Sequence, residues 1–252
     1  MALARLDRWR RFLTYALIIM GSLLTSTAHA EWVLSLYGGF AHTPDTDLEF
    51  AEPSGTDLTF KDISWEDESF SDPPYFGMRL TYWMDRSPNW GLAVDFTHAK
   101  MVANLDQSVR VTGTRNGMPV DTVEPLSNTF SDLELTHGHN LLTANLLYRW
   151  FLQPRGSPGL LGRLQPYLGA GAGVALPHVD VNTDNSITDN YQVGGFAAQG
   201  FVGLNIDIVK WLSLLVETKL SYADIDGDLT DGGSIAVKPW THHVTFGLSF
   251  NL

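Results

Sequence analysis

The chain has 252 residues, with 28 acidic and 16 basic side chains, a net charge of −12 and no cysteine. That balance argues against a nucleic-acid partner, whose phosphates need a basic surface. The absence of cysteine excludes a disulfide framework, a thiolate metal site and a thiol nucleophile.

Arg5, Arg8, Arg10 and Arg11 form a basic start, Phe12 to Leu24 is almost uninterrupted apolar sequence, and Ala28-His29-Ala30 is a small-x-small cleavage site. A membrane-anchoring helix would need ~20 apolar residues, more than this run supplies. The pattern therefore predicts a signal peptide over residues 1–30, removed before Glu31, and a mature domain over residues 31–252. The leader takes four of the 16 basic residues and one of the 28 acidic ones, so the mature chain is more acidic still. Beyond it, a charge such as Lys210 or Glu217, or a Gly or Pro cluster, interrupts every apolar stretch before it reaches the length of a spanning helix.

What repeats instead is alternation with period two, the signature of strands with one apolar face. Trp32 to Phe40 sets Trp32, Leu34, Leu36 and Phe40 on one face. Tyr75 to Met84 sets Phe76, Met78, Leu80 and Tyr82 against Arg79 and Thr81, and Trp90 to Met101 sets Leu92, Val94 and Phe96 against Asp95 and Thr97. Leu133 to Trp150 reads as one long strand, with Ala144, Leu146 and Tyr148 outward and His137, His139, Thr143 and Asn145 inward. From Pro166, Leu168, Ala170, Ala172 and Val174 alternate with glycines, which leave room for larger side chains from neighbouring strands. Phe196 to Ile206 follows. In Trp211 to Ala223, Leu214, Val216 and Leu220 oppose Ser213, Glu217, Lys219 and Ser221. The chain closes on Val244, Phe246, Leu248, Phe250 and Leu252, which alternate with Thr245, Gly247, Ser249 and Asn251.

The connections differ in kind. Met84 to Asn89 and Asp207 to Lys210 are short, and Gln153 to Gln165 is longer and rich in Pro and Gly. Ala41 to Pro73, Ala103 to Asp132, Asn182 to Gly195 and Asp224 to Pro239 are long and polar. Trp83, Trp90, Trp150, Phe151 and Trp211 cluster beside the short turns, as an interfacial aromatic girdle would. Together these features predict an all-β chain: a single closed antiparallel transmembrane β-barrel of about eight strands. A barrel that size is filled by side chains, so a wide porin is disfavoured.

Several groups could carry chemistry. The first long connection holds ten carboxylates offset by Lys61 alone and reads as a solvated loop, with weak cation or surface-sugar contact as the alternative. Asp224-Ile225-Asp226-Gly227-Asp228 comes nearer a calcium loop but lacks the distal Glu. Arg79, Asp95, Arg149, Glu217 and Lys219 face the expected lumen, where paired charges are ordinary filling. His137 and His139 lie two apart on one strand face, a spacing that brings two imidazoles to one divalent metal. His243, Asp95 and Glu217 could complete such a site, and hydrogen-bonded lumen packing is the alternative reading. By strict alternation His98 and Lys100 fall on the outward face, where Lys100 could meet a lipid phosphate headgroup.

The blocks Pro73 to Trp83, Asp95 to Lys100, Leu135 to Leu142, Pro166 to Val181 and Val216 to Lys219 together resemble the outer-membrane lipid A oxidase family and its small barrel relatives. The resemblance covers most of the mature chain. It implies residence in the outer membrane of a Gram-negative bacterium, lipopolysaccharide as lipid partner and insertion by the barrel-assembly machinery. It further implies oxygen- and divalent-cation-dependent oxidation of the proximal glucosamine of lipid A to aminogluconate. Catalytic candidates under that reading are His137, His139, Glu217 and His98; metal candidates are His137, His139, His243 and Asp95. The chain departs from the pattern in ending on Leu252 rather than an aromatic residue. A non-enzymatic barrel, structural or interacting with surfaces through its long connections, is the other reading.

Overall fold

The computed structural model describes residues 31–135, 139–154 and 157–252; the expected signal peptide and His137 lie outside them. Eight strands form a closed antiparallel barrel: Glu31–His42, Phe76–Met84, Ser87–His98, Leu141–Arg149, Leu164–Ala175, Gly195–Val209, Leu212–Ala223 and Trp240–Asn251. Each pairs with its sequence neighbours. The first and last close the ring in register from Val33↔Asn251 to His42↔His242.

The predicted faces hold. Leu36, Met78, Val94, Leu146, Val202 and Phe246 point outward and are exposed, whereas Ser35, Thr81, Thr143, Ser221 and Thr245 point inward and are buried. An apolar belt around a polar interior is the inverse of a water-soluble barrel, and its solvent is hydrocarbon. At the short-turn end Trp32 packs on Tyr82 and Tyr148 lies between Trp90 and Trp150, with ring centroids 4.9–5.0 Å apart. Trp83 does not belong to this girdle. It follows outward Tyr82, so the pleat turns it into the lumen, where it is buried under Arg149.

The long connections are not solvated loops. Thr46–Glu52, Thr56–Ile63, Ser108–Arg115, Met118–Pro125, Ile225–Asp228 and Ser234–Val237 make a six-stranded sheet. Trp65–Glu66, Val102–Ala103, Phe130–Glu134, His178–Thr183 and Ile187–Tyr191 make a five-stranded one. The sheets share one apolar core: Leu48, Phe50, Leu58 and Phe60 from the first meet Phe130, Leu133, Val179 and Val181 from the second. The rings of Phe50, Phe60 and Phe130 are 5.1–6.5 Å apart. This core continues onto Leu141, Ala175, Ala197 and Ala223 at the barrel rim, so a β-sandwich cap sits on the long-connection end.

The cap also corrects the fourth strand. Leu133 to Trp150 is not continuous: Phe130–Glu134 pairs with His178–Thr183 in the cap, and Leu141–Arg149 pairs with barrel neighbours. The chain changes sheets between them, because Leu135 belongs to the cap core and Leu141 to the rim. Likewise the Asp224 to Asp228 run is no metal loop. Ile225–Asp228 is an extended strand paired with Ser234–Val237, which keeps its carboxylates from wrapping an ion.

Candidate functional site

The third, second and seventh barrel strands carry Asp95, Arg79, Glu217 and Lys219 to one level of the lumen, all at most 2% exposed. Arg79 donates to both Glu217 oxygens, at 2.6 and 2.8 Å, and to Asp95 Oδ2 at 2.9 Å. Lys219 Nζ donates to the same Asp95 oxygen at 3.0 Å and to Thr97 at 2.9 Å. Tyr37 donates to Asp95 Oδ1 at 2.7 Å, Tyr167 to Glu217 at 2.8 Å, and Gln199 to Asp95 at 3.0 Å. Two positive and two negative charges thus cancel, each with charge-assisted partners, which is the condition under which buried ions are tolerated. The expected inward ion-pair network is present. Beneath it, Arg149 bonds Glu31 at 2.6 Å and lies 4.1 Å from the Trp83 ring. The void between these two layers, bordered by Val33, Thr81 and Leu147, measures about 10 Å³, room for one water at most.

Above the network, polar groups continue toward the barrel rim. Ser221 Oγ lies 2.8 Å from His243 Nε2, and the Tyr75 hydroxyl 3.2 Å from His243 Nδ1. Thr241 lies between Thr43, at 2.9 Å, and His139 Nε2, at 3.4 Å. His139 sits above the apolar belt and is buried. Burial and neighbouring His98 hold its pKa down to about 4, so it is neutral at pH 7.

The sequence candidates therefore separate. Both ring nitrogens of His243 are engaged by hydroxyls, and Asp95 and Glu217 are saturated by donors. Among the described residues no three His, Cys, Asp or Glu side chains gather as a metal set. Asp95, Glu217 and His243 do not fit a metal centre, since each would first have to surrender a bond it makes, and His139 brings a single unbonded ring nitrogen. His98 lies on the outer wall as alternation requires, stacked on Phe76 at 4.9 Å and bonded to Asn140 at 2.8 Å. Lys100 follows it on that wall, yet it is no exposed headgroup ligand. Its ammonium is buried, donates to the Asp72 carbonyl at 3.1 Å and lies 3.9 Å from Glu68. Sequence reasoning missed Tyr37, Tyr167 and Gln199, because an aromatic or amide on an inward face carries no charge signal.

No family model matches the chain, and no curated protein matches it. Among solved structures it is similar to neisserial surface protein A, at 12% identity and a TM-score of 0.43 over 88% of this chain and 99% of that one. It is also similar to the outer membrane protein OprG from Pseudomonas aeruginosa, at 16% identity and 0.44 over 88% and 97%. A third is the outer membrane protein AlkL, at 18% identity and 0.44 over 90% and 92%. The chain's own architecture is that of an outer-membrane-type barrel. It has an even number of antiparallel strands, short turns at one end and long connections at the other, and an apolar belt edged by aromatic residues.

Proposed function

We propose that the protein is an integral outer-membrane barrel of a Gram-negative bacterium, closed to solutes, that presents a folded β-sandwich at the cell surface for contact with surface molecules. The observation that carries this reading is the combination of a neutral, hydrogen-bonded lumen with a cap that has its own apolar core. Insertion by the barrel-assembly machinery and contact with lipopolysaccharide belong to the same reading. Purified protein in planar bilayers is expected to give no stepwise conductance. Regular ohmic steps would show an open lumen and sink it.

Lipid A oxidation is the finer reading, and one observation favours it. His139 Nδ1 is buried, and no described residue bonds it. A neutral imidazole of this kind, two residues from His137 in the sequence, is what an oxidase site at the barrel–cap junction would need. Mass spectrometry of lipid A from cells with and without the protein tests it. Appearance of aminogluconate, lost with chelator and with His139→Ala, would establish the enzyme. Unchanged lipid A leaves the surface-contact function.

A further inference from the structure

The five-stranded sheet grows directly out of the barrel wall. Leu164–Ala175 leads to His178–Thr183, and Ile187–Tyr191 returns to Gly195–Val209. Hydrogen bonds from Gly194 N to Ala175 O and from Gln192 N to Pro177 O carry the ladder across the junction. The outer face of this sheet is therefore continuous with the lipid-facing surface. Two groups of exposed apolar side chains stand just above the belt, one at this junction and one in the loop that precedes Phe76–Met84. Val193, 74% exposed, lies three residues from Phe196, which with Val174 ends the belt on that side. That is within about 10 Å at strand rise. Tyr191 is close by, its ring against His178.

Phe70, 80% exposed, is the second group. Its loop is tied to the belt's upper edge: Ser69 Oγ accepts from Ala41 N, next to outward Phe40, and Ser69 O accepts from Tyr75 N, next to outward Phe76. Lys100 clamps the same loop on the outer wall through the Asp72 carbonyl. Asp67, Glu68 and Asp72 flank Phe70, and Asp189 and Asn190 flank Tyr191. Carboxylates so close exclude the hydrocarbon core and leave the headgroup interface, where aromatic side chains beside polar ones are at home.

We propose that the cap is anchored to the outer leaflet: Phe70 on one side of the wall, and Tyr191 with Val193 on the other, insert at the headgroup–acyl boundary as an upward extension of the belt. The occupant of this surface is lipid. The argument is continuity with the belt, and Lys100 acts as the clamp that holds the first anchor in place. Met118, 68% exposed on the remote hairpin of the six-stranded sheet, has no such continuity.

The chain has no cysteine, so single labels are clean. Phe70→Cys, Val193→Cys and Met118→Cys, each carrying an environment-sensitive fluorophore, would be reconstituted in phosphatidylcholine vesicles containing nitroxide-labelled lipid. All three positions are exposed, and the heat-modifiable mobility of the barrel checks folding. At positions 70 and 193 we expect blue-shifted emission and quenching by shallow nitroxides about twofold or more above that at 118. Adding Lys100→Met should bring quenching at 70 toward that at 118 while leaving 193 unchanged. Quenching at either 70 or 193 no greater than at 118 overturns the two-sided anchor, whatever the cap proves to bind.

Discussion

Tyr37, Trp83, Tyr167 and Phe201 each lean over a glycine on a neighbouring strand: Gly77, Gly91, Gly203 and Gly169 respectively. A β-carbon at Gly203 would lie 2.4 Å from the Tyr167 ring, and one at Gly77 would lie 2.2 Å from that of Tyr37. These contacts aim the two hydroxyls at Glu217 and Asp95, so the glycine pattern and the charge network form a single packing solution. Gly203→Ala is accordingly expected to destabilise by about 1–3 kcal/mol through overpacking. A lower urea midpoint in detergent would show it, and an unchanged midpoint would mean Tyr167 is free to move. Arg79→Leu should cost more, about 3–5 kcal/mol, because it strands Glu217 and removes a donor from Asp95. The alternating glycines and the inward charges were both legible in the sequence, since each obeys period two. Which ring covers which glycine was not, because strand register is set by pairings far apart in the chain.

At the scale of elements, the cap is where sequence reading fell short. Leu48-Glu49-Phe50 and Leu58-Thr59-Phe60 alternate as regularly as any barrel strand. Their acidic neighbours and short span make them look like soluble loop, and only partners from the other connections give the apolar faces somewhere to go. Two glutamines do similar work where the ladders stop. Gln107 bonds both Ser64 N and Ser64 O, at 2.8 and 2.9 Å, and Gln192 does the same to Asp228. Each side-chain amide stands in for a missing strand residue. Gln192→Ala should therefore weaken the cap by about 1–3 kcal/mol, read as faster amide exchange at Asp228. Asp132, in the Phe130–Glu134 strand, has its carboxyl pushed above the ordinary range by burial. A carboxyl whose folded pKa is raised favours the folded state while protonated, and that advantage is lost as pH rises through the folded value. Asp132→Asn should therefore stabilise the cap at pH 7 and lose that advantage near pH 3. Equal effects at both pH values would rule out the titration.

The whole molecule joins two bodies that fold in different solvents. The barrel closes its ladder completely and is held by a belt that detergent or lipid covers, whereas the cap is a water-built sandwich of short strands with free edges. Its edge strand Met118–Pro125 carries Pro119 and Pro125, which deny an added strand its full ladder of bonds. That protects against aggregation and lends no strength. The two bodies meet through Leu141, Ala175, Ala197 and Ala223 and through the contacts of Thr241 with His139 and Thr43. This seam is small beside either interior. Urea in detergent should therefore melt the cap before the barrel, in two transitions. Trp65 reports on the first, since it is buried in the cap core and its Nε1 donates to Thr46 at 2.7 Å. Trp65→Phe should remove most of the first fluorescence change and leave the second. Phe60→Ala, which opens a cavity beside Phe50 and Phe130, should move the first transition to lower urea by the equivalent of about 3–5 kcal/mol. The second transition should stay in place. A single transition that shifts as a unit with Phe60→Ala would mean that cap and barrel fold as one body, with the seam stronger than its contacts suggest.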